Sequence, residues 1–480
     1  MQTLQVAVVG SGPAGLYTAE ALIKQAAALD PPRAIRVDVI DRLPTPYGLV
    51  RYGVAPDHKS IKSIAEYLRK VLEHEHVNFI GGVHLGDDVG RQDLLAVYDA
   101  VVYATGAMRD RRLGIPGEDL PGSVAATDFV NWYCGHPDVD PSAFTLDAES
   151  VAVIGVGNVA VDVARILARD PAELRETDVS QPVLDALQAS KVREVHMIGR
   201  RGPAQAKFTT KELRELGELA GVDIVVGAGE ADLDAFDPTG ESARLAEADR
   251  HVRGNYTVIS DWASRTPAGG GRRLNVRFWL RPVEIQGGHE VESLTLERTR
   301  LDESGKLVGT GELETLDAQM VLRSVGYQSV PLAGVPFDER TSTVPNQAGR
   351  VIGPDGQPLP GEYVAGWLKR GPTGVIGTNK SDAAETVRSL LADVADGPGP
   401  DDVQLPRAGL LRLPAAAESA AGEVLSALHR LLAERKLRHV SYADWLRIEA
   451  AEKELAERLG RGARVKLPSR DEIRRACGLS

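Results

Sequence analysis

Two glycine-rich turns, each between a strand-like and a helix-like stretch, constrain this chain more than any other feature. The first is Gly10-Ser11-Gly12-Pro13-Ala14-Gly15, and the second is Gly155-Val156-Gly157-Asn158-Val159-Ala160. An apolar stretch precedes each turn and a stretch of helical character follows it, as in βαβ units that bind dinucleotides. The glycines allow a tight turn and the close approach of a pyrophosphate, which the helix N-terminus attracts. The sequence therefore predicts two dinucleotide-binding units.

The two units differ at the end of their second strand. In the first unit that strand ends in Asp41, and in the second it is followed by Arg200 and Arg201. A carboxylate at this place accepts a hydrogen bond from a ribose 2′-OH, whereas an arginine binds a 2′-phosphate. We therefore expect FAD in the first unit and NADP(H) in the second. The alternatives are that Asp41 is only a turn residue and that the two arginines are solvated surface charges.

Composition narrows the class of protein. A chain of 480 residues with 43% hydrophobic and 26% charged residues suits a globular protein of two to four domains. The net charge of −12 argues against nucleic-acid binding, and no apolar run reaches the roughly 20 residues that span a membrane. The first strand begins near Leu4 without a basic leader, and cysteines are few. We therefore expect a cytoplasmic protein with neither nucleic-acid nor membrane partners.

The two cysteines exclude several kinds of redox site. Cys134 and Cys477 are far apart, and neither belongs to a CxxC pair. The sequence therefore lacks a local redox dithiol, a cysteine zinc site and the ligands of a protein-bound iron–sulfur cluster. This argues against a disulfide reductase and against an electron-input subunit that carries its own clusters, and no metal site is predicted.

Longer motifs narrow the assignment further. They are PYGLVRYGVAPDH at residues 46–58, GNVAVDVAR at 157–165, GRRGP at 199–203, FTTKELRE at 208–215 and GWLKRGPTGVIGT at 366–378. With these motifs, nearly the whole chain resembles the adrenodoxin-reductase-type ferredoxin–NADP reductases. The resemblance implies an α/β fold with two Rossmann-like, three-layer dinucleotide-binding domains of the glutathione-reductase type. The FAD-binding domain is expected to comprise residues 1–106 and 325–480, with a helical C-terminal tail, and the NADP-binding domain residues 107–324.

Together with the glycine turns, the resemblance implies a set of cofactor-binding residues. Those expected around FAD are Gly10, Gly12, Ala14, Gly15, Asp41, Leu49, Trp367, Gly374, Val375 and Ile376. Those expected around NADP(H) are Gly155, Val156, Gly157, Asn158, Val159, Arg200, Arg201, Glu212 and again Gly374. The chain departs from the family twice, with Asp41 in place of the usual glutamate and Val156 in place of a polar residue.

The resemblance also implies the reaction. NADPH would give a hydride to FAD, and electrons would then pass singly to a ferredoxin-type iron–sulfur protein. His58 and Glu215 are expected to assist the hydride step, and the alternative for His58 is that it caps a helix starting near Ser60. The alternative functions are an FAD/NADPH-dependent monooxygenase, another pyridine-nucleotide flavin reductase, and a nucleotide-sensing protein without turnover.

An acidic iron–sulfur partner would require a basic docking face. The sequence offers two candidate clusters, which are Lys207, Lys211 and Arg214, or Arg109, Arg111 and Arg112. Either cluster could equally be solvated surface.

Overall fold

The computed structural model describes residues 3–269, 271–396 and 427–479. The first stretch of the chain forms β1 (Leu4–Val9), α1 (Pro13–Ala27), β2 (Ile35–Asp41), α2 (Leu49–Tyr52), α3 (Lys59–Lys62), α4 (Ile64–Leu72), β3 (Val77–Gly81), α5 (Arg91–Val97) and β4 (Ala100–Tyr103).

The middle stretch holds the second glycine turn. It forms β5 (Arg109–Asp110), β6 (Ser123–Ala125), α6 (Ala126–Tyr133), β7 (Ser150–Ile154), α7 (Asn158–Ala168), α8 (Gln181–Gln188), β8 (Glu194–Ile198), α9 (Thr210–Leu216), β9 (Val222–Val226), α10 (Ala228–Ala231), α11 (Glu241–Ala248), α12 (Arg250–Ser264), β10 (Arg272–Arg277), β11 (Leu280–Gln286), β12 (Ser293–Leu301), β13 (Leu307–Asp317) and β14 (Met320–Arg323). Two short 3₁₀ helices, Pro171–Glu176 and Pro203–Gln205, complete it.

The last stretch returns to the first sheet and ends in helices. It forms β15 (Tyr327–Gln328), β16 (Asn346–Gln347), β17 (Arg350–Ile352), β18 (Pro358–Val364), α13 (Trp367–Arg370), α14 (Thr378–Asp396), α15 (Ala427–Glu434), α16 (Tyr442–Leu459) and α17 (Arg470–Ala476). The sequence predicts that the helical tail begins near residue 415, and residues 415–426 lie outside the described ranges.

The first of two large sheets carries the first glycine turn at its centre. Its strand order is β16-β17-β18-β4-β1-β2-β3, and the five strands from β18 to β3 are parallel. The chain moves from β1 to β2 and β3 on one side, and β4 lies on the other side of β1. Such a reversal opens a crevice at the carboxyl end of β1, where open α/β sheets bind their ligands.

The second large sheet repeats this arrangement around the second glycine turn. It has the order β6-β14-β7-β8-β10-β9, and all its strand pairs are parallel. β7 lies between β8 and β14, so a second crevice opens at its carboxyl end. Helices pack on both sheets, and the predicted α/β class is observed.

A short antiparallel ribbon of β5 and β15 joins the chain where it leaves the first sheet and where it returns. A three-stranded antiparallel sheet, β11-β12-β13, extends from the middle stretch. Within the described ranges, no helix combines the length and apolar character needed to cross a membrane.

Two element boundaries differ from the sequence-based expectations. The sequence of residues 276–280 predicts a single strand, but β10 ends at Arg277 and β11 begins at Leu280 in another sheet. Trp279, between them, has a φ of 58°. Glu230 accepts a hydrogen bond from the backbone N–H of Phe278 (2.9 Å), so at this bend a side chain distant in sequence replaces a neighbouring strand as the acceptor. The sequence predicts one helix over about residues 60–75, but the structure interrupts it at Ser63, whose hydroxyl donates to the carbonyl of Ser60 (2.7 Å).

Candidate active site

The first glycine turn is built so that only glycine fits at its ends. Gly10 has a φ of +113°, and a Cβ there would overlap the carbonyl oxygen of Ala104, which follows β4 on the far side of the crevice. A Cβ on Gly15 would overlap the carbonyl oxygen of Gly10. Gly12 is the N-cap of α1 and has no side-chain partner for the helix N–H groups. The N-terminus of α1 therefore faces the crevice with donors for an anion.

Asp41 binds the glycine turn directly. Its Oδ2 accepts hydrogen bonds from the backbone N–H (2.7 Å) and the hydroxyl (2.6 Å) of Ser11, and its Oδ1 accepts from the N–H of Leu43 (2.9 Å). A carboxylate has about four acceptor sites, so one is left for a ribose hydroxyl unless Ser11 yields. Asp41 can therefore stabilise the glycine turn and still contact a ribose hydroxyl. The ribose contact stays a prediction.

The other residues expected around FAD lie in two loops beside this turn. Leu49 opens α2 directly after Gly48, and a Cβ on Gly48 would come within 2.9 Å of Gly12 Cα. Gly366, just before Trp367, approaches Ala14 so closely that a Cβ added to Gly366 would overlap the Cβ of Ala14. The structure therefore brings Ala14, Leu49 and Trp367 around one turn.

Residues 374–377 lead directly into α14. Gly374 has a φ of +81°, Val375 is 67% exposed, and Ile376 is half-buried. The N-terminus of α14 at Thr378 therefore lies beside this exposed, glycine-rich segment, where its partial positive charge favours an anionic group.

Buried polar atoms without partners mark the same region. Within the described residues, Thr105 Oγ1 and Arg370 Nε and Nη1 are buried without a hydrogen bond, although Arg370 Nη2 donates to Asn379 Oδ1 (3.1 Å). Thr105 directly follows Ala104 at the crevice. Because buried polar atoms are nearly always paired, such atoms fit a ligand with a polar edge such as FAD. Sequence reasoning did not single out either residue.

The second glycine turn repeats the first. Gly155 has a φ of +139°, and a Cβ there would overlap the carbonyl oxygen of Ser324, which follows β14 across the crevice. Gly157 is the N-cap of α7, and a Cβ there would meet nothing within 4 Å in the described chain. The turn thus leaves open space above the N-terminus of α7, which suits a pyrophosphate.

The residues that follow Gly155 also hold the loop before α9. The carbonyl of Val156 accepts from the N–H of Lys207 (2.9 Å), and Asn158 Oδ1 accepts from the N–H of Thr209 (2.8 Å). This leaves the amide nitrogen of Asn158 as its donor for a phosphate. The same two bonds bring α9, with Glu212 and Glu215, next to the N-terminus of α7, where Val159 occupies the first turn.

Arg200 and Arg201 have fixed backbones and unengaged side chains. Thr299 Oγ1 donates to the carbonyl of Arg200 (2.9 Å), and the N–H of Trp279 donates to that of Arg201 (3.3 Å). Both side chains are exposed, and no described residue forms a hydrogen bond or ion pair with either guanidinium. Two planar cations held beside the second crevice fit a 2′-phosphate.

His58 lies where the first and middle stretches meet. Its Nε2 is 2.8 Å from Asp162 Oδ1, and its Nδ1 is 3.7 Å from Glu215 Oε2. Arg165 Nη2 lies 2.7 Å from the same oxygen of Asp162 and 2.6 Å from His58 Nε2. His58 is also the N-cap residue of α3, but its side chain makes no capping hydrogen bond. The capping alternative is therefore wrong for the side chain, and His58 and Glu215 do lie near each other.

The charges around His58 determine its protonation. Burial lowers the pKa of His58, but the hydrogen bond and charge of Asp162 outweigh burial, so the pKa lies above its usual 6.5. Burial raises the pKa of Asp57, but ion pairs with Arg165 (2.6 Å) and Arg169 (3.0 Å) hold it below its usual 3.8. The charge of Arg165 lowers the pKa of His58 as well, but the net shift is upward and favours the protonated imidazole.

Glu212 lies near the same cluster. Burial, and secondly the negative charge of Asp162, raises the pKa of Glu212, and within the described chain its Oε2 has no hydrogen-bond partner. The unpaired Oε2 is therefore available to a hydroxyl-bearing ligand.

Sequence reasoning did not identify Asp57, Asp162 or Arg165 as site residues. One signal was available, because Asp162 and Arg165 are charged residues three positions apart on the otherwise apolar helix α7. A cavity of about 330 Å³ opens beside the cluster, and its lining includes Asp57, His58, Arg165, Arg169 and Glu215. Within the described chain, no group of three His, Cys, Asp or Glu side chains could hold a metal ion.

Comparison with known proteins places this geometry in a family. Residues 4–250 match the family model described as pyridine nucleotide-disulphide oxidoreductase. The chain is 44% identical over 480 residues to NADPH-ferredoxin reductase FprA of Mycobacterium tuberculosis, and the match covers 99% of each protein. It is 40% identical over 472 residues to a mitochondrial NADPH:adrenodoxin oxidoreductase of Arabidopsis thaliana, covering 94% of this chain and 91% of that protein.

A solved structure of M. tuberculosis FprA in complex with NADPH has a TM-score of 0.88 to this chain at 42% identity, covering 99% of this chain and 100% of that one. The chain therefore belongs to the pyridine nucleotide-disulphide oxidoreductase family. Relatives that match it along nearly its full length include proteins named NADPH-ferredoxin reductase and NADPH:adrenodoxin oxidoreductase. The resemblance and the fold class inferred from the sequence are confirmed.

Proposed function

We propose that this chain is an FAD-dependent NADPH:ferredoxin reductase. The observation that carries the proposal is a single chain with two glycine turns in two sheet crevices, one tied to Asp41 and the other flanked by Arg200 and Arg201. The names of the full-length relatives support the same activity.

Each part of the chain has its own binding task in this proposal. The N-terminus of α1 binds the pyrophosphate of FAD, with Thr105 and Arg370 as further polar contacts. The N-terminus of α7 binds the pyrophosphate of NADPH, while Arg200 and Arg201 bind its 2′-phosphate. The strands of the first sheet come from residues 4–103 and 346–364 and those of the second from 123–323, which supports domains at 1–106 with 325–480 and at 107–324.

Residues where the two parts meet would control the hydride step. When bound, FAD accepts a hydride from NADPH and passes electrons on singly. His58, held by Asp162, turns its Nδ1 toward Glu215, which favours a defined orientation of the polar groups between the two parts. The N-terminus of α14 beside residues 374–377 favours negative charge on the reduced flavin ring.

The proposed electron acceptor is a small acidic iron–sulfur protein. The six basic residues of the two candidate docking clusters are all exposed: Lys207, Lys211, Arg214, Arg109, Arg111 and Arg112. Lys211 is 3.7 Å from Glu215, and Arg112 pairs with both Glu118 and Asp119, so these two charges are partly neutralised. We further propose a cytoplasmic location, which the low number of cysteines supports.

The decisive experiment compares electron acceptors. Purified holoprotein with NADPH should reduce cytochrome c slowly, and added ferredoxins from the same cell should stimulate that reduction strongly. NADPH-dependent oxygen uptake that requires an organic substrate, without stimulation by any ferredoxin, would instead identify a monooxygenase.

A further inference from the structure

The C-terminal segment, defined here as residues 441–479, crosses the junction between the two large sheets. One of its lysines, Lys466, is 1% exposed. Its Nζ donates to the carbonyl of Arg51 (2.7 Å) in the first stretch and to that of Cys134 (2.6 Å) in the middle stretch, and it lies 3.4 Å from Asp178. Lys62 of α3 binds the same carboxylate at 2.7 Å. One buried ammonium group therefore touches both sides of the junction.

A second junction of the same kind lies further along the segment. Asp138 of the middle stretch forms ion pairs with Arg42 of the first stretch and with Arg470 of the C-terminal segment. In both junctions a carboxylate of the middle stretch lies between a cation of the first stretch and a cation of the C-terminal segment. The arrangement couples three stretches of chain rather than two.

Backbone contacts fix the segment on both sides. Val440, just before it, exchanges two hydrogen bonds with Gly81 of β3 (2.8 and 2.7 Å). On the other side, the N–H of Lys466 donates to the carbonyl of Asp178 (3.1 Å), and Gly462 packs so closely on Glu176 that a Cβ there would lie 2.9 Å from its carbonyl oxygen. The segment is thus attached to the edge of the first sheet and to residues 176–178 of the middle stretch.

Residues 176–178 lie shortly after α7, the helix that carries the second glycine turn at its other end. α7 has 11 residues and is about 16 Å long, so it transmits a displacement at one end to the other. Asp162, which binds His58, is on the same helix. A contact that fixes residues 176–178 therefore also restrains α7, which carries the proposed pyrophosphate site at its N-terminus and Asp162 along its length.

We propose that the C-terminal segment is a brace between the two dinucleotide-binding parts, and that Lys466 is a positioning residue for the hydride step. The proposal rests on the proposed function, because it assigns the brace a role in that reaction. Two parts of one chain ordinarily move relative to each other unless their interface holds them. Hydride transfer tolerates little such movement, since a displacement of about 1 Å can cost roughly 100-fold in rate.

The chemistry of Lys466 agrees with this role. Lysine is almost never fully buried unless it is paired. Burial lowers the pKa of Lys466 to about 8, although the charge of Asp178 opposes that change. Burial would raise the pKa of Asp178, but the charges of Lys466 and Lys62 outweigh this effect and hold the pKa of Asp178 below its usual range. Replacing a buried ion pair by apolar groups is often neutral for stability, so the burial of these ions does not by itself indicate a stabilising role and is compatible with a positioning one.

The test compares Lys466→Met with Lys453→Met in the FAD-loaded full chain. Lys453 is a matched control on the same segment, because it is 54% exposed and pairs only with Glu449 on its own helix. For Lys466→Met we expect reduction of the flavin by saturating NADPH to slow roughly tenfold, with unchanged oxidation of the dithionite-reduced flavin by ferricyanide. A merely destabilising change would cause flavin loss or slow both half-reactions.

A second readout does not depend on activity. Spin labels at Lys24→Cys and Lys191→Cys, on exposed residues of the first and middle stretches, report the distance between the two parts. Native Cys134 and Cys477 are buried and should not be labelled. The distance distribution should broaden or shift with Lys466→Met and stay unchanged with Lys453→Met. An unchanged distribution, or a changed one with an unaffected reduction rate, overturns the proposal.

Two further results keep the outcomes distinguishable. If the Lys466→Met protein does not fold, the Arg470→Gln variant provides the test, because the Arg470 side chain is 45% exposed and its loss removes only the ion pair with Asp138. We then expect a smaller slowing of flavin reduction and a smaller change in the label distances. If neither change occurs, the proposed brace is wrong. If NADPH fails to reduce the wild-type flavin, the proposed function fails, and the label distances alone decide whether the segment fixes the two parts.

Discussion

Asp41 and the arginine pair occupy the same place in the two sheets and have opposite chemistry. Asp41 ends β2 and accepts hydrogen bonds from its own glycine turn, whereas Arg200 and Arg201 follow β8 and have no side-chain partner in the described chain. A side chain satisfied within the protein stabilises the turn, whereas an unpaired, anchored cation is available to a ligand. We therefore expect the discrimination between phosphorylated and unphosphorylated dinucleotides to depend on the arginines.

Removing either arginine should reduce this discrimination. Arg200→Ala or Arg201→Ala should raise the KM for NADPH roughly 10- to 100-fold, because charge-assisted hydrogen bonds of about 1.5–3 kcal/mol are lost, and should leave the KM for NADH nearly unchanged. Steady-state kinetics with both coenzymes measures this. Arg193→Ala is the control, since Arg193 is exposed at the opposite end of β8. Equal effects on both coenzymes would contradict the assignment of the 2′-phosphate site.

His58 should make stability depend on pH in a defined direction. Because its pKa is raised in the folded state, its stabilising interaction with Asp162 is fully present below the unfolded pKa of about 6.5 and is lost as pH rises through the folded value. His58→Gln should therefore destabilise the protein more at about pH 6 than at about pH 9 in denaturant unfolding. His289→Gln, at an exposed position, should show no such difference. An equal cost of His58→Gln at both pH values would refute the raised pKa.

At the scale of elements, the two glycines of the second turn differ in the space around them. Gly155 faces the carbonyl oxygen of Ser324 at a positive φ, whereas Gly157, with φ −116°, has open space above it. Gly155 is therefore needed for the strand–helix packing, and we expect Gly157 to be needed for the ligand.

Two alanine substitutions separate these roles. Gly155→Ala should cost roughly 1–3 kcal/mol of stability through overlap and strain. Gly157→Ala should leave the melting temperature unchanged but weaken NADPH binding, because the new methyl group occupies the space for the pyrophosphate. Thermal unfolding and NADPH titration of both variants check this, and a destabilised Gly157→Ala protein would be the contrary result.

The sequence predicted elements best where local signals agree with tertiary structure. Both βαβ units were predictable because strand, glycine turn and helix follow each other within a short stretch. The end of β10 was not predictable from local sequence, because the bend at Trp279 involves a hydrogen bond to Glu230, which is distant in sequence. In the site, the glycines and arginines were predictable from motifs, but the bond between His58 and Asp162 spans 104 positions and required the fold.

At the scale of the whole molecule, the C-terminal segment belongs to the core of the first part. Trp445 and Ile448 of α16 are buried in the same hydrophobic cluster as β1 and α1. Arg51 of α2 pairs with Glu452 of α16, and both side chains are buried. The guanidinium of Arg51 also lies 5.0 Å from the centre of the Trp445 ring. The segment should therefore unfold together with the first part.

Breaking the buried pair tests that statement. Glu452→Gln leaves the Arg51 guanidinium buried without its counter-charge and should cost about 3–5 kcal/mol in denaturant unfolding, with flavin released in the same transition. Lys453→Met, which removes a surface pair, should cost at most about 1 kcal/mol. Release of the segment in a separate, earlier transition that leaves the flavin bound would show that it is not part of this core.

The central claim is that one chain holds FAD and NADPH so that a hydride passes between them. The most direct measurement adds NADPH, without oxygen, to purified protein containing FAD and follows the visible absorption of the flavin in a stopped-flow instrument. We predict rapid bleaching by NADPH and far slower bleaching by NADH at the same concentration. Bound flavin that NADPH leaves fully oxidised, or purified protein that cannot bind FAD at all, would contradict the account.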